Sequence, residues 1–90
     1  MKQLRILIHG KVQGVFFRAE TQKKAIFLGL TGFVQNLADG SVLTVFCGAE
    51  NAVEAMLSWC YQGPPLAKVQ EIEITTETPC PKAYPTFAIR

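Results

Sequence analysis

Between Gly10 and Arg18 the sequence reads GKVQGVFFR, two glycines and an arginine around a short apolar run. These residue types, set between a strand and a helix, can hold an anion. The first amides of a helix have no intrahelical partner and carry the positive end of its dipole, and glycine lets a ligand approach the backbone closely. Arg18 adds a planar, permanently charged fork that fits two oxygens of a phosphate, which Lys11 would do less specifically. Such a turn can also be purely structural, and it matches neither the Walker A loop nor the dinucleotide fingerprint. Conventional nucleophilic catalysis lacks its parts: His9 is the one histidine, and no Ser-His-Asp or Cys-His grouping accompanies it.

The elements around this turn follow from periodicity. Leu4, Ile6 and Ile8 alternate with Arg5, Leu7 and His9, which predicts a first strand with one buried side. Phe17, Thr21, Ala25 and Leu28 form one stripe of a helix from about Phe17 to Leu28, and Gly29 stands where a C-terminal glycine stop belongs. Thr31 to Leu37 and Ser41 to Cys47 read as strands joined by Ala38-Asp39-Gly40, a hairpin signal. Val53, Met56, Leu57 and Cys60 mark a second helix, ended by Gly63-Pro64-Pro65. Val69 to Thr76 gives a fourth strand, Pro79, Pro81 and Pro85 a loop, and Phe87 to Ile89 a short terminal strand. The order β-α-β-β-α-β-β predicts an α+β, ferredoxin-like sandwich: an antiparallel sheet with two helices on one face and one added edge strand. Residues 1–90 read as a single domain.

Composition narrows the class. At 49% hydrophobic and 18% charged, the chain suits a packed globule rather than a disordered segment. No stretch approaches the ~20 apolar residues of a membrane helix, and the N-terminus does not resemble a signal peptide. The expectation is a soluble, cytoplasmic monomer. Cys47, Cys60 and Cys80 are far apart and form no CxxC pair, so they read as reduced thiols, with neither a disulfide framework nor a metal site. The net charge of +2 is unevenly spread, with six cations and only Glu20 as an acid in residues 1 to 24. Six acids and only Lys68 occupy residues 39 to 77. The positive part surrounds the glycine turn, although a solvated face explains scattered lysines equally well.

IHGKVQGVFFR, Ile8 to Arg18, resembles the first signature of the acylphosphatase family, and GFVQNLADGSVLTVFCG, Gly32 to Gly48, resembles its second. Further similarity runs through GPPLAKV, Gly63 to Val69, and the terminal FAIR, Phe87 to Arg90, so it spans essentially the whole chain. The resemblance implies a ferredoxin-like enzyme that hydrolyses the carboxyl-phosphate anhydride of acyl phosphates without metal or cofactor. It also implies that Arg18 binds the phosphate together with the backbone amides of Gln13, Gly14, Val15, Phe16, Phe17 and Arg18. Asn36 would orient the attacking water, and inorganic phosphate would be product and inhibitor.

The residues bear this out chemically. An acyl phosphate is an activated anhydride, so holding the phosphate, stabilising its charge and aligning one water could suffice. An amide oxygen at Asn36 can accept from that water without titrating. Asn36 shares strand parity with Val34, a face expected to be buried, yet three positions before Asp39-Gly40 it could also be a plain hairpin residue. His9 reads as a partly exposed structural histidine, and Trp59 and Tyr61 as helix-flank packing. Two other functions stay open. One is an RNA-binding ferredoxin-like module, although SVLTVFCG, Ser41 to Gly48, lacks the basic and aromatic pattern of such strands. The other is an acylphosphatase-like domain of a larger carbamoyltransferase that matures hydrogenases.

Overall fold

The computed structural model describes residues 1–80 and 84–90; the centre of the proline-marked loop, residues 81–83, lies outside them. The elements are β1 (Lys2–Lys11), α1 (Phe17–Phe27), β2 (Thr31–Asn36), β3 (Val42–Gly48), α2 (Glu50–Gln62), β4 (Lys68–Pro79) and β5 (Phe87–Ile89). They form one five-stranded sheet in the order β4-β1-β3-β2-β5. This is the expected ferredoxin-like arrangement. The terminal strand does take an edge, but it pairs parallel to β2, with Phe33 opposite Ala88. All other pairings are antiparallel.

Alternation decides which side chains meet. Leu4, Ile6 and Ile8 of β1 point to the helices with Val34, Val42 and Phe46, and all six are at most 2% exposed. From the helices come Phe17, Ala25, Val53, Met56 and Cys60, the stripes the sequence marks. Ile72 of β4 packs against this core, whereas Ile74, in phase with it, is exposed. A register shift between Arg5/Ile6 interrupts the β1–β4 ladder close to it.

Local chemistry sets the element ends. Gly29 takes a φ of 73°, and the amides of Gly29 and Leu30 donate to the carbonyls of Ile26 and Ala25, the paired bonds of a Schellman stop. In the hairpin, Asp39 Oδ1 accepts from the Ser41 amide at 2.9 Å and its hydroxyl at 2.6 Å. Those two bonds hold the Asp39 carboxyl below its ordinary pKa. β1 also runs two residues beyond His9, so Gly10 belongs to the strand and not to the turn. It sits at a register shift, where a Cβ would strike the Lys68 carbonyl oxygen.

The face of the sheet away from the helices carries its own apolar cluster. Phe33, Leu43 and Val45 are buried there, with Leu7, Leu37, Tyr84 and Ala88 packed against them. Tyr84, from the connection between β4 and β5, meets Phe33 edge-on at 6.1 Å, and the Arg90 guanidinium lies 3.9 Å from the Phe33 ring centre. Cys47 and Cys80 are joined as a disulfide with their Cα atoms 6.0 Å apart, which corrects the reading of all three cysteines as free thiols. Linear separation hid the pair: the chain enters its crossing segment at Cys80, beside the outward-facing end of β3. Cys60 is free and buried, and burial pushes its thiol up to about 12.

Candidate active site

The turn between β1 and α1 is anchored from both ends. Val12 and Val15 bury their side chains at 1% and 5% exposure. Phe17 opens the helix at 1% exposure, its ring edge-on to Trp59 at 5.8 Å. Burying such a ring contributes about 1.5–3 kcal/mol, so the start of α1 is tied to the core. Between these anchors Gly14 takes a φ of 73° and Phe16 a φ of 65°. Phe16 is the described non-glycine residue with positive φ, a conformation that bulky side chains seldom adopt. It occupies the N-cap position, where no side chain caps the first-turn amides. That leaves the start of the helix able to meet an anion.

Asn36 ends β2 on the helix side of the sheet, two residues beyond the fully buried Val34, as its parity requires. Its Oδ1 is buried and has no hydrogen-bond partner among the described residues. A buried amide oxygen left in that state is uncommon, because it costs about 1–3 kcal/mol relative to a satisfied one. The Gln13 side chain binds the turn to the same hairpin: its Nε2 donates to the carbonyls of Leu37 and Ser41, both at 2.8 Å. The sequence offers Gln13 only as a backbone amide. A loop residue has no strand or helix period to give its direction, so nothing in the sequence signals the two side-chain bonds.

Val12, Gly14, Phe16, Phe17, Arg18, Ala19, Asn36 and Ile89 line one cleft of about 330 Å³. Of the residues singled out by sequence, it collects Gly14, Phe16, Phe17, Arg18 and Asn36. The Gln13 and Val15 side chains turn elsewhere, to the hairpin and the core. Ala19, one residue into the helix from Arg18, and Ile89, from the terminal strand, are additions that only the packing supplies. Arg18 is exposed and makes no ion pair among the described residues, so its charge is available to a ligand. His9 lies outside this lining and stands 3.4 Å from Glu73, in keeping with a structural role. Among the described residues no three His, Cys, Asp or Glu side chains gather as a metal site would require.

Fold and cleft together define a ferredoxin-like α+β sandwich with an anion-compatible mouth at its first helix. The chain belongs to the acylphosphatase family, whose model matches residues 4–89. It is 49% identical over 88 residues to the acylphosphatase of Synechococcus sp., covering 98% of this chain and 92% of that one. The crystal structure of acylphosphatase from Bacillus subtilis superposes with a TM-score of 0.95 at 37% identity, covering 100% of this chain and 99% of that one. HypF from T. kodakarensis contains a similar unit: TM-score 0.85, 34% identity, 100% of this chain but 12% of that one. The chain is therefore an enzyme that hydrolyses the carboxyl-phosphate anhydride of acyl phosphates. Among the described residues no helix is long and apolar enough to cross a membrane.

Proposed function

We propose that the cleft is the catalytic centre of this hydrolysis and that Arg18 and Asn36 divide its work. Arg18 and the backbone amides of Gln13, Gly14, Val15, Phe16, Phe17 and Arg18 hold the phosphate, and Asn36 orients water. The observation that carries the reading is the buried Oδ1 of Asn36, unpartnered among the described residues, in the same lining as an arginine that makes no ion pair among them. An acceptor facing such a cleft suits a water hydrogen, and the guanidinium suits the phosphate oxygens.

The water oxygen attacks phosphorus, the bond from phosphorus to the carboxyl oxygen breaks, and the carboxylate leaves with that electron pair. The proton passes to a phosphate oxygen, since among the described residues no carboxylate, imidazole or thiol lines the cleft to act as a base. Positioning and charge stabilisation then supply the rate, and neither a metal nor a cofactor is required. We further infer a single-domain monomer that does not act on nucleic acid; the cytoplasmic location expected from the sequence stands only if the Cys47–Cys80 bond is absent in the cell. The Cys47–Cys80 bond weighs against a reducing compartment, where disulfides are rare. Trapping thiols in lysate before purification decides that point.

Hydrolysis of benzoyl phosphate in ¹⁸O-water tests the chemistry: the label belongs in inorganic phosphate and not in benzoate. Label in benzoate would place the attack at the carbonyl carbon and end this mechanism.

A further inference from the structure

A second hollow, of about 460 Å³, opens directly beside the first and shares Phe16 and Ala19 with it. Its other walls are Val15, Pro64, Pro65 and Leu66, with Glu20 and Lys23 at the side. The two charged groups lie 3.3 Å apart on one face of α1 and offset each other, so the hollow presents little net charge. Phe16 is 73% exposed and Leu66 63% exposed, although both are large and apolar. Phe16 is also held at a φ of 65°, which keeps its ring on the partition between the hollows and out of the core that takes Val15 and Phe17.

We infer that this neutral, apolar hollow receives the acyl group, and that the enzyme accordingly favours acyl phosphates with an uncharged aromatic or branched apolar acyl part. The inference rests on the proposed function, because the phosphate must first lie in the neighbouring cleft. Acyl carbon and phosphorus are joined through one oxygen, so the acyl part has to leave the polar cleft beside the phosphate. One exit is solvent, and the other crosses the Phe16 ring into the second hollow. An apolar group gains by the second route, since it covers two exposed hydrophobic side chains as it leaves water. An acetyl group offers little apolar surface to cover these side chains, and a distal carboxylate would lose its hydration in a hollow whose two charges already offset each other.

Leu66 lines the acyl hollow and not the phosphate cleft. Kinetics of the wild type, Leu66→Met and Leu66→Asp on benzoyl phosphate and acetyl phosphate, with inorganic phosphate as inhibitor, therefore test the inference. The wild type and Leu66→Met should prefer benzoyl phosphate. Leu66→Asp should raise KM for benzoyl phosphate about tenfold, the scale on which a binding pocket reads apolar groups, and leave acetyl phosphate turnover and phosphate inhibition unchanged. An unaltered benzoyl-to-acetyl ratio in Leu66→Asp overturns the acyl hollow and leaves the phosphate site standing. A wild type inactive on both substrates overturns the proposed function and this inference with it.

Discussion

The two ends of strand β1 are finished in opposite ways. At its start, the Lys2 ammonium pairs with Glu77 at 2.7 Å, the Met1 carbonyl accepts the Cys80 amide at 3.3 Å, and Cys80 is bonded to Cys47. At its far end, beyond Lys11, a phenylalanine sits at positive φ, and among the described residues the helix has no side-chain cap, Arg18 no ion pair and Asn36 Oδ1 no hydrogen-bond partner. One end is cross-tied by an ion pair and a covalent bond, although Gln3 Oε1 and Thr78 Oγ1 are buried there without partners among the described residues. The other sets an exposed guanidinium and an unpartnered amide oxygen around one cleft. If the proposed roles of Arg18 and Asn36 hold, substitutions at the two ends should affect different measurements, stability at the first and activity at the second.

The largest effect is expected at the open end. Arg18→Ala should lower kcat/KM by on the order of 10³-fold or more, with loss of phosphate inhibition, because the charged partner of the phosphate is gone. As an exposed side chain without an ion pair, its removal should change unfolding free energy by less than about 0.5 kcal/mol. A large loss of stability in this variant would break the division between the two ends.

Next comes the closed end. The Cys47–Cys80 bond closes a loop with a sequence separation of 33, and its reduction, or Cys80→Ser, should cost about 2–4 kcal/mol. Melting temperature should fall by about 10 °C or more, while kcat and KM at 25 °C stay near those of the oxidised protein. A thiol assay of the unreduced, unfolded chain should find Cys60 alone, and a reading of three thiols would remove the bond from the account. In the native protein at pH 8, Cys60 should resist the reagent, since its buried thiol is pushed up to about 12. Raised in this way, Cys60 contributes stability below its ordinary value of 9.0, lost progressively as pH climbs towards 12.

Asn36→Ala sharpens the comparison further. It should reduce kcat by about 10²-fold through lost alignment of water while phosphate still inhibits. Its melting temperature should hold or rise, because an unpartnered buried oxygen disappears with the side chain. The smallest effect belongs to the Lys2–Glu77 pair, half-buried at Lys2 and exposed at Glu77, which raises the Lys2 pKa above its ordinary 10.5 chiefly through their hydrogen bond. Its contribution is present below pH 10.5, fades at more alkaline pH, and should be screened by salt. Glu77→Gln should therefore alter stability slightly and activity not at all.

How much was legible depended on whether a residue belonged to a repeating element. The stripe of α1 and the alternation of β1 announce their buried faces, because a helix or strand repeats its direction every few residues. Asn36 was placed on the correct face by the same parity. Phe16 and Gln13, in the turn, have no period to follow. Three successive apolar residues, Val15, Phe16 and Phe17, cannot all face one core, yet only the folded chain shows that Phe16 is the one left out.

The sequence alone determined the order of elements, the inner core, the hairpin and the resemblance from which Arg18 and Asn36 were named. Those depend on local periodicity, turn chemistry and matched motifs, which a linear string contains in full. Only the tertiary structure decided that β5 joins β2 in parallel, that Cys80 meets Cys47, that Gln13 locks the turn to the hairpin, and that a second hollow opens beside the first. Each of these joins segments distant in the chain, and such a meeting is fixed by how the whole sheet and its coverings close. The loop and the hairpin carry their chemistry in their residues, but their common cleft exists because β1, β3 and β2 lie side by side.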